Sequence, residues 1–180
     1  MDNIFKNSAI ENLVIFRHGK AQKIYDADDD FSRQLTERGQ RDAENQAVRL
    51  KEAGFNADMA LVSTAARAAQ TWEKAHGVFP DCRAKLLDKF YLASPKVYLN
   101  EAISCGEKNV MLIAHDPGLH ELCRYFMFGG GAINSEDISN EQALLLFELP
   151  TAGVAWFTRD DNSKSGMVLK HYFKPIKQAQ

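Results

Sequence analysis

Residues 13–19 read Leu-Val-Ile-Phe-Arg-His-Gly, four apolar residues followed at once by an arginine, a histidine and a glycine. Two of the four apolar residues are β-branched, which predicts a strand buried on both of its faces. Arg17 and His18 would emerge at the carboxyl end of this strand, where open α/β sheets bind their ligands. Gly19 lets the backbone turn sharply and come close to a bound group. The junction is therefore either an anion site or a solvated polar strand end.

The length and composition limit the classes of protein to consider. The chain has 180 residues, 45% of them hydrophobic and 26% charged, which predicts a single globular domain over residues 1–180. A net charge of -2 argues against nucleic acid as a partner, and no apolar stretch is long enough to span a membrane. Three cysteines with no metal-site spacing, together with the lack of a signal peptide, indicate a reduced, cytoplasmic setting.

Apolar runs alternate with helical patterns over the first two thirds of the chain. Strands are predicted at residues 13–16, 59–62, 86–87 and 109–114, and helices at residues 36–54, 63–76, 95–104 and 119–128. Thr36 is the predicted cap of the first helix, and Ser63 or Thr64 that of the second. Gly129 to Gly131 is predicted to form a turn, because it follows a helix.

Three late strands are predicted at residues 143–148, 154–158 and 167–173, separated by turn residues and paired as antiparallel edges. Together with the earlier alternation they predict an α/β three-layer sandwich. Its central sheet would be mostly parallel, with helices on both faces and antiparallel edge strands.

Four chemistry-bearing residues are predicted to meet at one edge of this sheet. Arg17 and His18 follow the first strand, Arg67 lies one turn into the helix after the second strand, and His115 follows the fourth strand. The helix start at residues 63–67 adds free backbone N–H groups and the positive end of a helix dipole. Such a site suits a phosphoryl group, because guanidiniums bind its oxygens and an imidazole can attack phosphorus in line.

Three motifs in this order carry a family resemblance. Arg17-His18-Gly19, Ser63-Thr-Ala-Ala-Arg-Ala-Ala-Gln-Thr71 and Ala114-His-Asp-Pro-Gly118 together resemble the histidine phosphatase superfamily, the relatives of cofactor-dependent phosphoglycerate mutase. The stretch from Asp30 to Gly39 and the short chain are similar to the small SixA-type phosphohistidine phosphatases rather than to the mutases. The resemblance implies a phosphoglycerate-mutase-like fold with its core at about residues 12–175.

The resemblance also implies a role for each core residue. His18 would be the nucleophile and would be phosphorylated transiently. Arg17, Arg67 and His115 would bind the phosphoryl oxygens and stabilise the transition state, with His115 protonated when phosphate is bound. No metal and no other cofactor would be needed, because these side chains neutralise the phosphoryl group.

Further substrate contacts are expected from Gly19, Ser63 and Arg33. For Arg33 there is an equal alternative, in which it anchors its loop against the helix that begins at Thr36. The acidic run Asp28–Asp30 is either a solvated loop or a feature that discriminates partners at the mouth of the pocket.

The donor of a proton to the leaving group is left open. Mutase-like relatives carry a glutamate after the third strand, where this chain offers only Asp88, slightly early. The acid-phosphatase and phytase branch uses the aspartate directly after the second histidine, and Asp116 occupies that position. The third alternative is that no acid acts, which would fit the easily released ring nitrogen of phosphohistidine.

The sequence therefore predicts a histidine-type phosphatase with a covalent phosphohistidine intermediate on His18. Its substrate would be protein phosphohistidine, for example on a histidine phosphotransfer domain, or a phosphomonoester. The alternatives are a phosphatase of small metabolites such as sugar or nucleotide phosphates, and a phosphoprotein-binding scaffold without turnover.

Overall fold

A six-stranded sheet lies at the centre of the computed structural model, which describes residues 5, 7–129 and 138–176. The strands are β1 (Asn12–Arg17), β2 (Met59–Ser63), β3 (Arg83–Leu87), β4 (Asn109–Ala114), β5 (Val154–Arg159) and β6 (Met167–Phe173). Their order is β3-β2-β4-β1-β5-β6. The first four strands are parallel, whereas β5 runs antiparallel to β1 and β6 antiparallel to β5. The predicted α/β fold with a mostly parallel sheet and late antiparallel strands is confirmed.

Strand β1 is buried on both faces, as its apolar run predicts. Leu13 and Ile15 point into one hydrophobic cluster, and Val14 and Phe16 into a second cluster across the sheet. All four side chains are fully buried. The strand pairs with β4 on one side and with β5 on the other, so its polar end is held rigidly at the sheet edge.

Helices cover both faces of the sheet. They are α1 (Glu37–Glu52), α2 (Ala66–His76), α3 (Pro95–Ser104), α4 (Gly118–Phe128) and α5 (Asn140–Phe147), with short 3-10 helices at Ile24–Asp26 and Asp88–Phe90. On one face α1 and α2 contribute Ala47 and Trp72, and on the other α3 and α4 contribute Tyr98 and Leu122. Within the described ranges, no helix combines the length and hydropathy needed to cross a membrane.

The strand predicted at residues 143–148 is wrong, because this segment belongs to α5. Ser139 and Gln142 form a capping box that starts the helix, each side chain binding the other residue's backbone N–H. Leu145 is fully buried, whereas Phe147 is 82% exposed. In a strand both side chains would lie on one face of the sheet. The apolar run is too short to show the period of either structure, so it could not by itself distinguish a strand from a helix.

Of the two predicted helix caps, one agrees with the structure and the other does not. Thr36 caps α1, where its hydroxyl accepts a hydrogen bond from the N–H of Gly39. The cap predicted for the second helix is wrong, because Ala65 occupies that position and makes no side-chain cap. Ser63 is instead the last residue of β2. Gly129 ends α4 in a left-handed conformation, and the rest of the predicted glycine turn, Gly130 and Gly131, lies outside the described residues.

Candidate active site

A cleft of about 830 Å³ opens at the carboxyl ends of β1 and β4. Its walls include Arg17, His18, Arg67, His115 and Asp116. The sheet order explains this convergence, since β4 lies between β1 and β2 and all three strands end at the same edge. The structure therefore brings the two arginines and the two histidines together.

The ring of His18 is buried and its two nitrogens have different partners. Nδ1 lies 2.8 Å from the carbonyl oxygen of Gly19, to which it donates a hydrogen bond. Nε2 then carries the lone pair and accepts a hydrogen bond of 3.2 Å from Nε of Arg67. Burial, reinforced by the nearby charges of Arg67 and Arg17, holds the pKa of His18 well below its usual value. The ring is therefore neutral at pH 7, with an unprotonated Nε2.

Gly19 fixes this arrangement from inside the protein. Its N–H donates to the hydroxyl of Thr71 at 2.9 Å, and that hydroxyl donates to the carbonyl of Arg67 at 2.7 Å. A Cβ atom on Gly19 would lie 2.5 Å from the carbonyl oxygen of Gly39 at the start of α1. Gly19 is not among the residues that line the cleft. Its observed contacts orient His18 and join β1 to α1 and α2.

The guanidinium of Arg67 is almost completely buried between His18 and the loop that contains Asp30. Nε points to His18, while Nη2 lies 2.9 Å from Oδ2 of Asp30 and Nη1 donates to the Asp30 carbonyl. This loop also binds the start of α2, because the N–H of Ala66 donates to the carbonyl of Phe31 at 3.1 Å. The acidic run is therefore not simply solvated, since Asp30 is an ion-pair partner of a buried arginine.

Arg17 is a second arginine of the cleft wall, and it is partly buried. Its Nη1 donates to the carbonyl of Leu149 at 2.7 Å and lies 3.6 Å from Oδ2 of Asp116. Burial lowers the pKa of Arg17, and the charge of Asp116 opposes that shift. The site thus holds two oriented guanidiniums, each beside one carboxylate.

His115 lies next to His18, with 5.1 Å between the ring centroids. Its Nε2 is 2.8 Å from the hydroxyl of Ser63, and the ring of Tyr91 packs edge-on against it at 5.4 Å. Burial, followed by the charge of Arg67, lowers the pKa of His115 to about 3. Its Nδ1 is buried and makes no hydrogen bond to any residue in the described part of the chain. Ser63 contacts His115 and does not line the cleft.

The two candidate acids differ in position. Asp116 lines the cleft, and its Oδ1 lies 3.9 Å from Nδ1 of His120. Asp88 is exposed in a short 3-10 helix and is absent from the cleft lining. Of these two candidates, Asp116 is the one placed where it could reach a leaving group bound beside Arg17.

Arg33 lies in the cleft wall and is held by its own loop. It lines the cleft, yet its Nε donates to the carbonyl of Gln22 and its Nη1 to Oδ1 of Asp30, both at 2.7 Å. It therefore anchors its loop and contributes positive charge to the wall. Arg38 is half-exposed and also lines the cleft, where it pairs with Asp42 at 3.3 Å.

Sequence reasoning missed the roles of Asp30, Tyr91 and Thr71. The hydroxyl of Tyr91 donates to Oδ2 of Asp30 at 2.7 Å, a contact that joins loops 61 residues apart. The spacing of Asp30 and Arg33 was the one local signal, since it permits the observed ion pair between them. Across the described residues, no cluster of three or more His, Cys, Asp or Glu side chains could hold a metal ion.

Comparisons with known proteins point to one family. Residues 13–89 match the sequence profile of the Histidine phosphatase superfamily (branch 1). The fold is similar to a candidate phosphohistidine phosphatase SixA from Agrobacterium tumefaciens, with 26% identity, a TM-score of 0.77 and coverage of 92% of this chain and 99% of that one. A candidate SixA from Nakamurella multipartitia is 22% identical, with a TM-score of 0.75 and coverage of 92% and 96%.

A third similar structure is the protein histidine phosphatase SixA solved with tungstate. It is 24% identical to this chain, with a TM-score of 0.67 and coverage of 91% of this chain and 97% of that one. No curated protein matches the chain.

Proposed function

We propose that the chain belongs to the histidine phosphatase superfamily and is a phosphatase that works through a phosphohistidine intermediate on His18. The observation that carries this proposal is the state of the His18 ring. Nδ1 is held by the Gly19 carbonyl, so that Nε2 keeps its lone pair within reach of two arginines. A neutral imidazole fixed in one tautomer is the form that can attack phosphorus.

The reaction has two displacements. In the first, a phosphoryl oxygen takes over the hydrogen bond that Nε of Arg67 donates to Nε2 in this structure. The freed Nε2 lone pair then attacks phosphorus in line, and the bond between phosphorus and the leaving atom breaks with its electron pair on that atom. In the second, water attacks the phosphohistidine, the P–N bond breaks, and the neutral ring of His18 is restored as phosphate leaves. Arg17 and Arg67 bind the non-bridging oxygens and stabilise the charge in both transition states.

His115 is proposed to complete the oxyanion site through its buried Nδ1. In this structure its pKa is about 3, and the ring is neutral. A phosphoryl dianion beside the ring would favour its charged form and raise that pKa. The protonated ring would then donate a hydrogen bond to a phosphoryl oxygen, while Ser63 holds Nε2.

The proposed proton donor for an alcohol leaving group is Asp116. Its place in the cleft wall beside Arg17 supports this role, whereas Asp88 lies outside the cleft. A phosphohistidine substrate depends less on such an acid, because an imidazole nitrogen leaves more readily than an alkoxide. The variant Asp116→Asn should therefore reduce turnover of phosphomonoesters more than turnover of phosphohistidine.

The proposed substrate is a phosphohistidine side chain on a protein. Two observations support it. The similar SixA structures are described as a candidate phosphohistidine phosphatase and as a protein histidine phosphatase, and the cleft of about 830 Å³ is far larger than a phosphate group requires. A small phosphorylated metabolite is the alternative that the assay must exclude.

The test compares hydrolysis of a phosphorylated histidine phosphotransfer domain, p-nitrophenyl phosphate and a panel of sugar and nucleotide phosphates. We expect turnover of the phosphorylated domain to be fastest and His18→Ala to lower it by at least about 10³-fold. The matched control is His76→Ala, an exposed histidine on α2, which should retain full activity. Strong turnover of a metabolite with none on the domain would reject the protein substrate. Equal rates for wild type and His18→Ala, or binding without any turnover, would reject the enzyme mechanism.

A further inference from the structure

Asp30 is the hub of a small network that surrounds the Arg67 guanidinium. Its Oδ2 accepts hydrogen bonds from Nη2 of Arg67 at 2.9 Å and from the Tyr91 hydroxyl at 2.7 Å. Its Oδ1 accepts from Arg33 at 2.7 Å, and its backbone carbonyl accepts from Nη1 of Arg67. These donors come from the same loop, from α2 and from the segment after β3, so one aspartate ties three parts of the fold together.

The position of Arg67 depends on this network. A guanidinium carries five N–H bonds, of which one faces Nε2 of His18 and two face Asp30. Among the described residues, the other two have no hydrogen-bond partner. Because a planar guanidinium cannot turn one edge without turning the others, the contacts to Asp30 also set the direction of the edge that faces His18.

The surroundings of Asp30 favour a fixed charged group. Hydrogen bonds from Tyr91 and Arg33 hold the pKa of Asp30 well below its usual value, so it stays ionised at neutral pH. The ring of Tyr91 also packs against Phe31 at 5.0 Å and lies 5.8 Å from the Arg67 guanidinium carbon. The carboxylate and its neighbours therefore form a preorganised support on the side of Arg67 away from His18.

We propose that Asp30 is a positioning residue for the phosphatase reaction, which aims the Arg67 guanidinium at Nε2 of His18 and at the phosphoryl group attacked there. This inference rests on the proposed function. It gives the acidic run a role in turnover through Arg67, without contact between Asp30 and the substrate.

The two effects of Asp30 on the reaction should be separable. Its negative charge near an anion site opposes phosphate binding, whereas its hold on Arg67 favours the transition state. Replacing the carboxylate with an amide of the same shape removes the charge and weakens the hold. We therefore expect Asp30→Asn to lower kcat by about tenfold, because a misaligned group loses much of its catalytic effect. KM and the Kd for inorganic phosphate should rise by no more than about twofold, because the loss of repulsion between Asp30 and phosphate offsets the poorer alignment of Arg67.

The experiment measures kcat and KM, the Kd for inorganic phosphate by calorimetry, and the ¹⁵N shifts of the His18 ring by NMR. Asp28→Asn is the matched control, since it makes the same change at an exposed position in the same loop. Tyr91→Phe is a second variant that removes a single donor to Asp30 and leaves the charge in place. Circular dichroism establishes that each variant is folded.

The proposal predicts that Asp30→Asn shifts the His18 Nε2 resonance, because the hydrogen bond from Arg67 weakens, while Asp28→Asn leaves it unchanged. Tyr91→Phe should lower kcat by a smaller factor, and the double variant by less than the product of the two factors. An unchanged kcat with tighter phosphate binding would make Asp30 a competitor of substrate and overturn the proposal. An unmoved Nε2 resonance would overturn it as well. A wild-type protein without phosphatase activity would instead reject the proposed function, while the NMR comparison would still test the link from Asp30 to His18.

Discussion

At His18, two hydrogen bonds and burial decide which ring nitrogen can react. The Gly19 carbonyl accepts a hydrogen bond from Nδ1–H, and Nε of Arg67 donates a hydrogen bond to the lone pair of Nε2. The sequence motifs identified His18 and Arg67 because strand ends and helix starts can be located from local patterns. Thr71 and Asp30 escaped notice as site residues, because their contacts join positions 52 and 37 residues apart. Such contacts depend on how the loops pack over the sheet edge, and local sequence patterns do not predict that packing.

Thr71→Val tests the link between Gly19 and α2. The substitution leaves the buried N–H of Gly19 without its acceptor, which should lower the free energy of unfolding by about 1–3 kcal/mol. Thr64→Val is the matched control, because the Thr64 hydroxyl is buried and has no hydrogen-bond partner within the described residues. Urea denaturation should show a change of less than about 0.5 kcal/mol for the control. Equal losses in both variants would show that the hydroxyl of Thr71 has no special role.

Among the elements, the parallel strands were easier to predict than the segment after α4. The apolar runs at residues 13–16 and 110–114 are fully buried, as expected for strands covered on both faces of a sheet. The run at residues 143–147 is apolar throughout and too short to show a period. Its capping box was the signal that distinguishes a helix, with Ser139 three residues before Gln142. Tertiary packing of Leu145 then fixes which side of the helix is buried.

The helical assignment of α5 predicts that two nearby apolar residues respond differently to truncation. Leu145→Ala should lower the free energy of unfolding by about 2–4 kcal/mol, because the side chain is fully buried in the core. Phe147→Ala should change it by less than about 0.5 kcal/mol, because that ring is exposed. Thermal or urea denaturation of the two variants measures the difference. A strand would bury both residues on one face, so comparable losses would contradict the helix.

For the molecule as a whole, the fold holds two neutral histidines in a site rich in arginine. Hydrophobic clusters on both faces of the sheet keep the carboxyl ends of β1 and β4 rigid. The charged side chains that line the cleft lie at that edge of the sheet. Burial near Arg67 disfavours a further positive charge, so His18 and His115 both have lowered pKa values. The same electrostatics that keep the nucleophile unprotonated therefore oppose folding in acid.

The stability of the protein should fall as the pH drops below 6.5. A histidine with a lowered pKa in the folded state binds its proton only on unfolding, so its contribution is complete above pH 6.5 and is lost toward its folded pKa. For His115, with a folded pKa of about 3, the loss between pH 7 and pH 5 is about 2 kcal/mol, and His18 acts in the same direction. Urea denaturation at both pH values should show a pH effect that is about 2 kcal/mol smaller in His115→Gln. The exposed His76→Gln control should match wild type, and an unchanged pH effect in His115→Gln would contradict the burial of a neutral ring.

The central claim is that His18 carries the phosphoryl group during turnover, and trapping that intermediate tests it most directly. The protein would be exposed briefly to a ³²P-labelled phosphodonor, denatured, digested and mapped by mass spectrometry. We expect label that is labile in acid and stable in base, located on His18 alone and absent from His18→Ala. Label on a serine or cysteine, or equal labelling of the His18→Ala protein, would contradict the mechanism.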